Sequence, residues 1–322
     1  MGLTVGVDVG GTKIASGVVD DDGQVLEQEQ VPTPAATPSP TGAGVATAIA
    51  GAIADLVGRH RRQHDVVAVG IGAAGYVDSG RSTVLFAPNI AWRDEPLRDR
   101  VAEQVDLPVV VENDANAAAW AEFRFGAGAH VDDLVLLTVG TGIGGGIVLD
   151  GALHRGAFGV AAEVGHLRVV PGGVRCGCGN RGCWEQYGSG RALVREAREL
   201  VRSGSPLAGG LAEACGGDPD ALDGPTVTRL AQDGDLASIE LVADAGRWLG
   251  EGLASLVAVL DPAVAVVGGG VSAAGDLLLV PLRRAFEREL TGRGHRPTME
   301  IRPAELGNDA GIVGAGDLAR HD

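Results

Sequence analysis

The sequence predicts an α/β protein with two lobes, and three observations support this prediction. The chain has 322 residues, of which 45% are hydrophobic, so it is longer than one typical domain and can bury a sizeable core. Apolar strand-like runs alternate with helix-like segments, as in a partly parallel sheet covered by helices. The N-terminal pattern LTVGVDVGGTKIASGVVDDDGQV recurs later as DLVLLTVGTGIGGGIVLDGAL. One supersecondary unit therefore occurs twice.

The elements of the first half follow from periodicity. The N-terminal repeat predicts a strand, a Gly-Gly turn, a second strand and a turn at residues 21–23. A Pro/Thr-rich connector at 31–42 precedes a helix whose apolar face is marked by Val45, Ile49, Ile53 and Leu56. The pattern then predicts a buried strand at 66–72, a helix at 96–105 with proline in its first turn, and a strand that runs into a helix in LPVVVENDANAAAWAEF.

The elements of the second half are mainly helical. After the second repeat, the sequence predicts helices near 190–202 and 235–260, a strand at 263–270, a helix near 276–290 and a last helix after GNDAG at 307–311.

Composition excludes several classes of function. The net charge is −16, which repels phosphate backbones, and no basic run longer than RHRR at 59–62 offsets it. We therefore expect neither a nucleic acid nor a membrane as partner. Asp8 interrupts the N-terminal apolar run, and Asp261, Pro262 and Asp276 interrupt the longest later one, so neither a signal peptide nor a membrane span is predicted. We expect a cytoplasmic protein.

The two glycine-rich turns are candidates for holding phosphate. Neither matches the P-loop pattern, and neither leads from a strand directly into a helix, so P-loop and Rossmann interpretations fail. Exposed backbone N–H groups in such hairpins can bind phosphate oxygens. We expect them to do so from opposite walls of a cleft.

Three of the four cysteines lie in CGCGNRGC at 176–183. Cytosolic thiols stay reduced, and clustered ones more often bind metal than form disulfides. Cys176, Cys178 and Cys183, with His166 ten residues before Cys176, predict a closed tetrahedral Cys3His site for structural zinc. The alternative is a flexible loop with incidental cysteines. Cys215 is left over.

Polar residues after apolar strands are candidates for catalysis, because ligands of α/β sheets gather at the carboxyl ends of strands. Asn113 and Asp114 in VVVENDAN occupy such a position, although Asp114 could equally be a helix N-cap. Glu163, His166 and Glu185 lie close in sequence to the proposed zinc loop and suit sugar hydroxyls, since carboxylates accept hydrogen bonds in pairs. Alternatively, Glu163 supports a helix and His166 is a core histidine.

Taken together, these motifs resemble the ROK family of repressors and sugar kinases, and most closely its bacterial glucokinases. The motifs are DVGGTK at 8–13, ENDAN at 112–116, TVGTGIGGGI at 138–147, EVGH at 163–166, CGCGNRGCWEQYGSG at 176–190 and GGG at 268–270. The resemblance implies the two-lobed actin-like ATPase (ribonuclease H-like) fold, with a duplicated βββαβα core and a cleft between the lobes. It also implies a small lobe at 1–115, rejoined by the C-terminal helix at 306–322, and a large lobe at 116–305.

The resemblance further implies ATP-dependent phosphorylation of glucose, with Asp114 as the base on the 6-hydroxyl and Mg²⁺ carried with ATP. It assigns glucose binding to Asn89, Asn113, Asp114, Glu163, His166 and Glu185. Phosphate binding falls to Asp8, Gly10, Gly11, Thr12, Gly140, Thr141, Gly142, Gly268, Gly269 and Gly270, with Lys13 facing either phosphate or solvent. His166 would serve zinc and sugar through different ring nitrogens. A homodimer or homotetramer is the family expectation.

Three alternatives stay open. The first is a kinase for another sugar, such as N-acetylmannosamine or fructose, or one that uses polyphosphate as donor. The second is the DNA-binding repressor branch of the family, which the net charge and the early first strand disfavour. The third is a noncatalytic sugar sensor, which the presence of both Asp8 and Asp114 disfavours.

Overall fold

The structure is a computed structural model that describes residues 2–34, 43–87, 90 and 92–321. Most of the predicted connector at 31–42 and the predicted sugar ligand Asn89 lie outside the described residues.

The described chain contains thirteen strands and ten α-helices. The strands are β1 (Leu3–Val9), β2 (Lys13–Val19), β3 (Val25–Pro32), β4 (Val66–Ala73), β5 (Tyr76–Val77), β6 (Val84–Ala87), β7 (Trp92–Glu95), β8 (Val109–Asn113), β9 (Leu134–Val139), β10 (Ile143–Leu149), β11 (Ala152–Leu153), β12 (Val264–Gly268) and β13 (Glu300–Pro303). The helices are α1 (Ala43–His60), α2 (Leu97–Val105), α3 (Asp114–Phe125), α4 (Glu185–Gly188), α5 (Gly190–Arg202), α6 (Gly209–Ala214), α7 (Gly224–Gln232), α8 (Leu236–Leu260), α9 (Asp276–Glu289) and α10 (Ala310–Arg320).

Two five-stranded sheets repeat one topology. The first has the order β3-β2-β1-β4-β8 and the second the order β11-β10-β9-β12-β13. In the first sheet β1, β2 and β3 are antiparallel neighbours, while β4 pairs in parallel with both β1 and β8. In the second, β10 and β11 are antiparallel and β12 and β13 parallel. The duplicated α/β architecture predicted from the repeat is confirmed.

Most predicted elements are present, with small differences at their ends. Pro96 is the N-cap of α2 rather than part of its first turn, and the strand predicted at 263–270 ends at Gly268. Periodicity missed the small antiparallel sheet of β5, β6 and β7, whose strands have two to four residues. Strands this short show too few alternations for a period-2 pattern. Within the part of the chain that the structure describes, no helix combines the length and the apolar character that a membrane crossing requires.

The chain divides into two compact units. Unit 1 comprises Met1–Leu136, Gly146–Ala162 and Ala304–Asp322, and unit 2 comprises Leu137–Gly145 and Glu163–Pro303. In this division α3 belongs to unit 1, whereas the sequence interpretation placed residues from 116 onward in the large lobe. The assignment of lobes to 1–115 with 306–322 and to 116–305 stays a prediction.

Helix α10 packs against the first sheet within unit 1, and glycines permit the close approach. A Cβ atom at Gly6 of β1 would lie 1.8 Å from the Ile312 carbonyl oxygen, and one at Gly70 of β4 would lie 1.8 Å from the Ala315 oxygen. A Cβ at Gly314 would lie equally close to the Ala117 oxygen in α3. Backbone atoms cannot move aside as a flexible side chain can, so the helix lies on the sheet only because these positions lack side chains.

Candidate functional site

In unit 1, two aspartates lie at the carboxyl edge of the first sheet. Asp8 is next to last in β1 and is paired with Gly72 of β4, while Ala73 of β4 is paired with Asn113 of β8. Asp114 follows immediately as the first residue of α3. The carboxyl ends of parallel strands meet at one edge, so the fold brings Asp8 and Asp114 near each other, and the Asp8 carboxylate raises the pKa of Asp114.

Asn113, and not Asp114, caps helix α3. The Asn113 side chain accepts a hydrogen bond from the Asn116 backbone N–H at 2.9 Å and donates one to the Gly75 carbonyl at 3.0 Å. Asp114 occupies the first helical position, where its Oδ1 accepts from the Ala115 N–H at 2.9 Å. The alternative that Asp114 serves as an N-cap is therefore wrong. Asn113 accepts the hydrogen bond of a backbone N–H at the start of the helix, which leaves the Asp114 carboxylate available for other contacts.

The Asp114 carboxyl has a strongly perturbed pKa. Burial is the main cause and repulsion from Asp8 the second, and together they raise the pKa of Asp114 from 3.8 to about 6. Burial also raises the pKa of Asp8, although the nearby Lys13 ammonium partly opposes the effect. A carboxyl with a pKa near 6 can accept a proton at neutral pH more readily than an ordinary aspartate can.

A buried ion-pair network supports the start of α3, and the sequence interpretation missed it. Glu112 is 2% exposed; its Oε2 lies 2.6 Å from Arg155 Nε and 3.6 Å from Arg81 Nε. Its Oε1 accepts hydrogen bonds from the Asn113 backbone N–H and from the Asn116 side chain, both at 3.0 Å. The available signal was an acidic residue that directly follows the continuous apolar run Val109–Val111 of β8, since an ionised carboxylate is buried only with partners.

The β1–β2 hairpin presents the first glycine-rich turn. The Gly10 N–H donates to the Lys13 carbonyl at 3.0 Å, and the Gly10 carbonyl accepts from Thr33 Oγ1 at 2.7 Å. Gly11, Thr12 and Lys13 are exposed. These hydrogen bonds fix the shape of the turn, and the residues at its tip remain accessible to a ligand.

In unit 2, the β9–β10 hairpin presents the second glycine-rich turn. The Gly140 N–H donates to the Gly142 carbonyl at 3.0 Å, and the Gly140 carbonyl accepts from the Gly190 N–H at 2.8 Å. Gly269 follows β12 with φ of 86°, and a Cβ there would lie 2.6 Å from Val139 backbone atoms. Glycine is therefore required at this close approach to β9.

The β9–β10 turn and the segment after β12 border a cavity of about 1030 Å³ in unit 2. Its lining includes Gly140, Thr141 and Gly270, together with α5 and α7. Apolar side chains such as Val194, Leu222 and Val271 share the lining with five arginines, namely Arg191, Arg195, Arg198, Arg202 and Arg229. A largely apolar cavity with a few polar groups, adjoining a glycine-rich turn, is suited to a nucleoside with phosphates.

Three predicted sugar-binding residues lie together in unit 2. His166 Nε2 is 4.0 Å from Glu163 Oε2, and His166 Nδ1 is 3.9 Å from Glu185 Oε1. Their side chains are 37% exposed for Glu163, 29% for His166 and 16% for Glu185, so a ligand can reach them. Two carboxylates flanking an imidazole offer acceptors to adjacent hydroxyl groups.

The predicted zinc ligands also converge. Ligand atoms of His166, Cys176, Cys178 and Cys183 all lie within 4.8 Å of one another. The Sγ atoms of Cys178 and Cys183 are 3.6 Å apart, and Cys176 Sγ is 3.7 Å from His166 Nδ1. A tetrahedral zinc with bonds of about 2.3 Å to sulfur has ligand–ligand edges of about 3.8 Å. The side chains therefore fit zinc, with His166 Nδ1 toward the metal side and Nε2 toward Glu163.

Comparison with known proteins agrees with this geometry. The sequence model of the ROK family matches residues 4–322. The chain belongs to the ROK family. Among its ROK relatives, the glucokinase of Streptomyces coelicolor is 52% identical over 320 residues, covering 99% of this chain and 98% of the relative.

Solved ROK structures share the fold. A ROK family glucokinase from Streptomyces griseus, crystallised with glucose and AMPPNP, is 53% identical with a TM-score of 0.89, and the match covers 100% of both chains. A ROK hexokinase from Thermus thermophilus is 39% identical with a TM-score of 0.79, covering 99% of this chain and 98% of the other. The actin-like ATPase fold implied by the sequence resemblance is thus confirmed for this ROK protein.

Proposed function

We propose that the protein is an ATP-dependent glucokinase, which transfers the γ-phosphoryl group of ATP to the 6-hydroxyl of glucose. The observation that carries this proposal is the carboxyl group of Asp114, which has a pKa near 6. It does not cap α3, because Asn113 does. Full-length similarity to glucokinases of two Streptomyces species supports the choice of glucose and ATP.

Asp114 acts as the general base. Phosphoryl transfer requires the attacking hydroxyl to lose its proton, and a carboxylate placed to accept it contributes through position and charge. The Glu112 network holds the backbone of Asn113, so the base keeps its orientation at the end of β8. The Asn113 side-chain oxygen keeps a second lone pair beside its bond to Asn116, and this lone pair is available to a sugar hydroxyl.

Mg²⁺ would enter with ATP and neutralise phosphate charge during transfer. The residues present fit a hard cation, because Asp8 supplies carboxylate oxygens at the same sheet edge as the proposed base. Asp8 would hold Mg²⁺ near the phosphates. Gly11, Thr12 and Lys13 offer donors at the adjoining turn, which the hydrogen bond from Gly10 to Lys13 closes.

The cavity of unit 2 receives the nucleoside of ATP. Thr141 and Gly142 direct backbone donors at the phosphates, on a turn that the hydrogen bond from Gly140 to Gly142 closes. After β12, the run Gly268, Gly269 and Gly270 reaches the cavity at Gly270. The apolar lining of α5 and α7 suits a base and ribose. The arginines of α5 favour the negative charge of a phosphorylated ligand.

Glu163, His166 and Glu185 bind hydroxyls of glucose, and Asn89 remains a further candidate. A structural zinc on His166, Cys176, Cys178 and Cys183 fixes the loop that carries these residues. Its four protein ligands leave no open position, so the metal orients His166 and does not activate water. We also propose a cytoplasmic homodimer or homotetramer with a role in glycolysis.

Parallel measurement of ADP formation tests the proposed function. Zinc-loaded protein is assayed with Mg-ATP and glucose, mannose, fructose, N-acetylglucosamine or N-acetylmannosamine, and with polyphosphate in place of ATP. We expect glucose with ATP to give the highest kcat/KM. Preference for another sugar or for polyphosphate would identify one of the alternative kinases, and absence of turnover from folded protein would favour the sensor.

Zinc removal tests the role of the metal loop. A Cys178→Ser variant removes one ligand that is exposed and lies outside the core. We expect glucose affinity to fall more than ATP affinity, measured by equilibrium binding of each ligand. Equal losses would contradict a local role of zinc at the sugar residues.

A further inference from the structure

A second cluster of ligand-type residues lies in unit 1, with ligand atoms as close together as those of the Cys3His cluster. Ligand atoms of Glu27, Glu29 and His60 all lie within 4.8 Å of one another. Glu27 and Glu29 are two residues apart on the edge strand β3, so their side chains lie on the same face of the strand. His60 is the last residue of α1. None of these residues belongs to the sites described above.

His60 is buried, and one of its ring nitrogens has no hydrogen-bond partner. Its side chain is 0% exposed, and its Nε2 lies 3.0 Å from Ser16 Oγ. Nδ1 makes no hydrogen bond and lies 3.4 Å from Glu27 Oε2. A metal-ligating histidine typically directs its other ring nitrogen to a fixed polar partner, and Ser16 provides such a partner here.

The distance between His60 Nδ1 and Glu27 Oε2 is long for a hydrogen bond but suits a shared metal. Zinc binds histidine nitrogen and carboxylate oxygen at about 2.0 to 2.2 Å. Two such ligands around a tetrahedral ion are therefore about 3.3 to 3.5 Å apart. His64 Nε2 also lies 3.0 Å from the same Glu27 oxygen, so a second imidazole is near the same position.

Charge and access are also compatible with a cation. The side chains of Glu27 and Glu29 are 25% and 31% exposed, so an ion can reach them from solvent. Arg59 Nε lies 2.6 Å from Glu29 Oε2 and neutralises one of the two negative charges, so Glu27 supplies the charge that attracts the ion. The C-terminal end of α1, where His60 lies, favours a positive charge.

We propose that Glu27, Glu29 and His60, with His64 beside them, form a second zinc-type divalent metal site that joins strand β3 to the end of α1. Imidazole with carboxylates selects a borderline transition ion rather than Ca²⁺ or Mg²⁺. The site lacks thiolates, so it releases its ion to a chelator sooner than the Cys3His site. This proposal is independent of the proposed function.

Metal counting tests the proposal. Full-length protein is equilibrated with excess ZnCl₂, and bound zinc per chain is determined by atomic emission. We expect two ions in the wild type and one in Glu27→Gln. The control Glu103→Gln, which makes the same charge change on the exposed side of α2, should keep two, and Cys178→Ser should keep the one ion of the second site.

Cobalt distinguishes the two sites by spectroscopy. Co²⁺ at the thiolate site gives strong sulfur-to-metal charge-transfer absorption, whereas Co²⁺ at the second site does not. Glu27→Gln should bind one fewer Co²⁺ with unchanged charge-transfer intensity, and should keep the circular dichroism spectrum of the wild type. His64→Ala, at a partly exposed position, should weaken binding of the second ion even if Glu27→Gln fails to fold. One ion in the wild type, or two in a folded Glu27→Gln variant, would overturn the proposal.

Discussion

The Asp114→Asn substitution is expected to abolish turnover and, at the same time, to stabilise the folded protein. Burial and the Asp8 carboxylate raise the pKa of Asp114 from 3.8 to about 6. That shift corresponds to roughly 3 kcal/mol of free energy by which folding disfavours the ionised form at neutral pH. Asparagine keeps an oxygen that can accept from the Ala115 N–H but carries no charge. We therefore expect an increase of about 1 to 3 kcal/mol in the free energy of unfolding.

The pH dependence gives this prediction a definite sign. Below about pH 4 the carboxyl is protonated in both the folded and the unfolded chain, and the substitution has little effect. As the pH rises through 6, the wild type loses the stability associated with its raised pKa, whereas the variant does not. The stability difference should therefore grow between pH 4 and 7 and then level off. Urea denaturation with zinc present and ATP absent measures it at each pH.

A matched variant separates this effect from helix-end effects. Asp276 is also the first residue of its helix, α9, but it is exposed. Asp276→Asn should lower stability slightly, by about 0.3 to 1 kcal/mol, because an anion at a helix N-terminus is favourable. An Asp114→Asn variant that is no more stable than the wild type at pH 7.5, or a difference that does not change with pH, would refute the argument from repulsion and burial.

Three further predictions follow from the same structure. The kcat/KM for glucose should fall tenfold per pH unit well below pH 6, where Asp114 is protonated; a flat profile to pH 5 would exclude it as the base. Arg155→Ala should lower the free energy of unfolding in urea titrations by about 2 to 4 kcal/mol, because it leaves Glu112 buried with one fewer cation. Arg155→Lys should restore part of the lost stability. An unchanged urea midpoint for Arg155→Ala would mean that Arg155 is dispensable. Gly314→Ala should sharply reduce the yield of folded protein, because its Cβ collides with the Ala117 carbonyl. The control Gly51→Ala in α1 has open space around it and should be neutral or stabilising. Equal yields of the two variants would contradict the packing of α10.

The sequence predicted the repeated hairpins because their signals are local. Alternating apolar residues and paired glycines define a strand, a turn and a strand without reference to the rest of the chain. The Cys3His cluster was predictable for the same reason, since its ligands occupy positions 166–183. The partners of Glu112 were not predictable, because Arg81 and Arg155 are distant in sequence and only the fold brings them to one carboxylate.

The position of the helix start could not be decided from the sequence either. Both asparagine and aspartate are good N-caps, so the pair Asn113 and Asp114 leaves two registers that differ by one residue. The structure selects Asn113 because β8 pairs with β4 through Asn113, which fixes where the strand ends. Asn89, predicted from the resemblance alone, stays a prediction.

The order of Asn113 and Asp114 explains how one strand end can provide both stability and chemistry. A capping carboxylate is held by backbone N–H groups, and hydrogen bonds to the charged form lower its pKa and its tendency to accept a proton. Here the neutral amide of Asn113 takes the cap, so the carboxylate one residue later keeps a raised pKa despite its own bond to Ala115. The buried Glu112 before them carries the structural ion pairs. Three adjacent polar residues thus have separate roles, and the residue that neither caps the helix nor pairs with an arginine is the one suited to be the base.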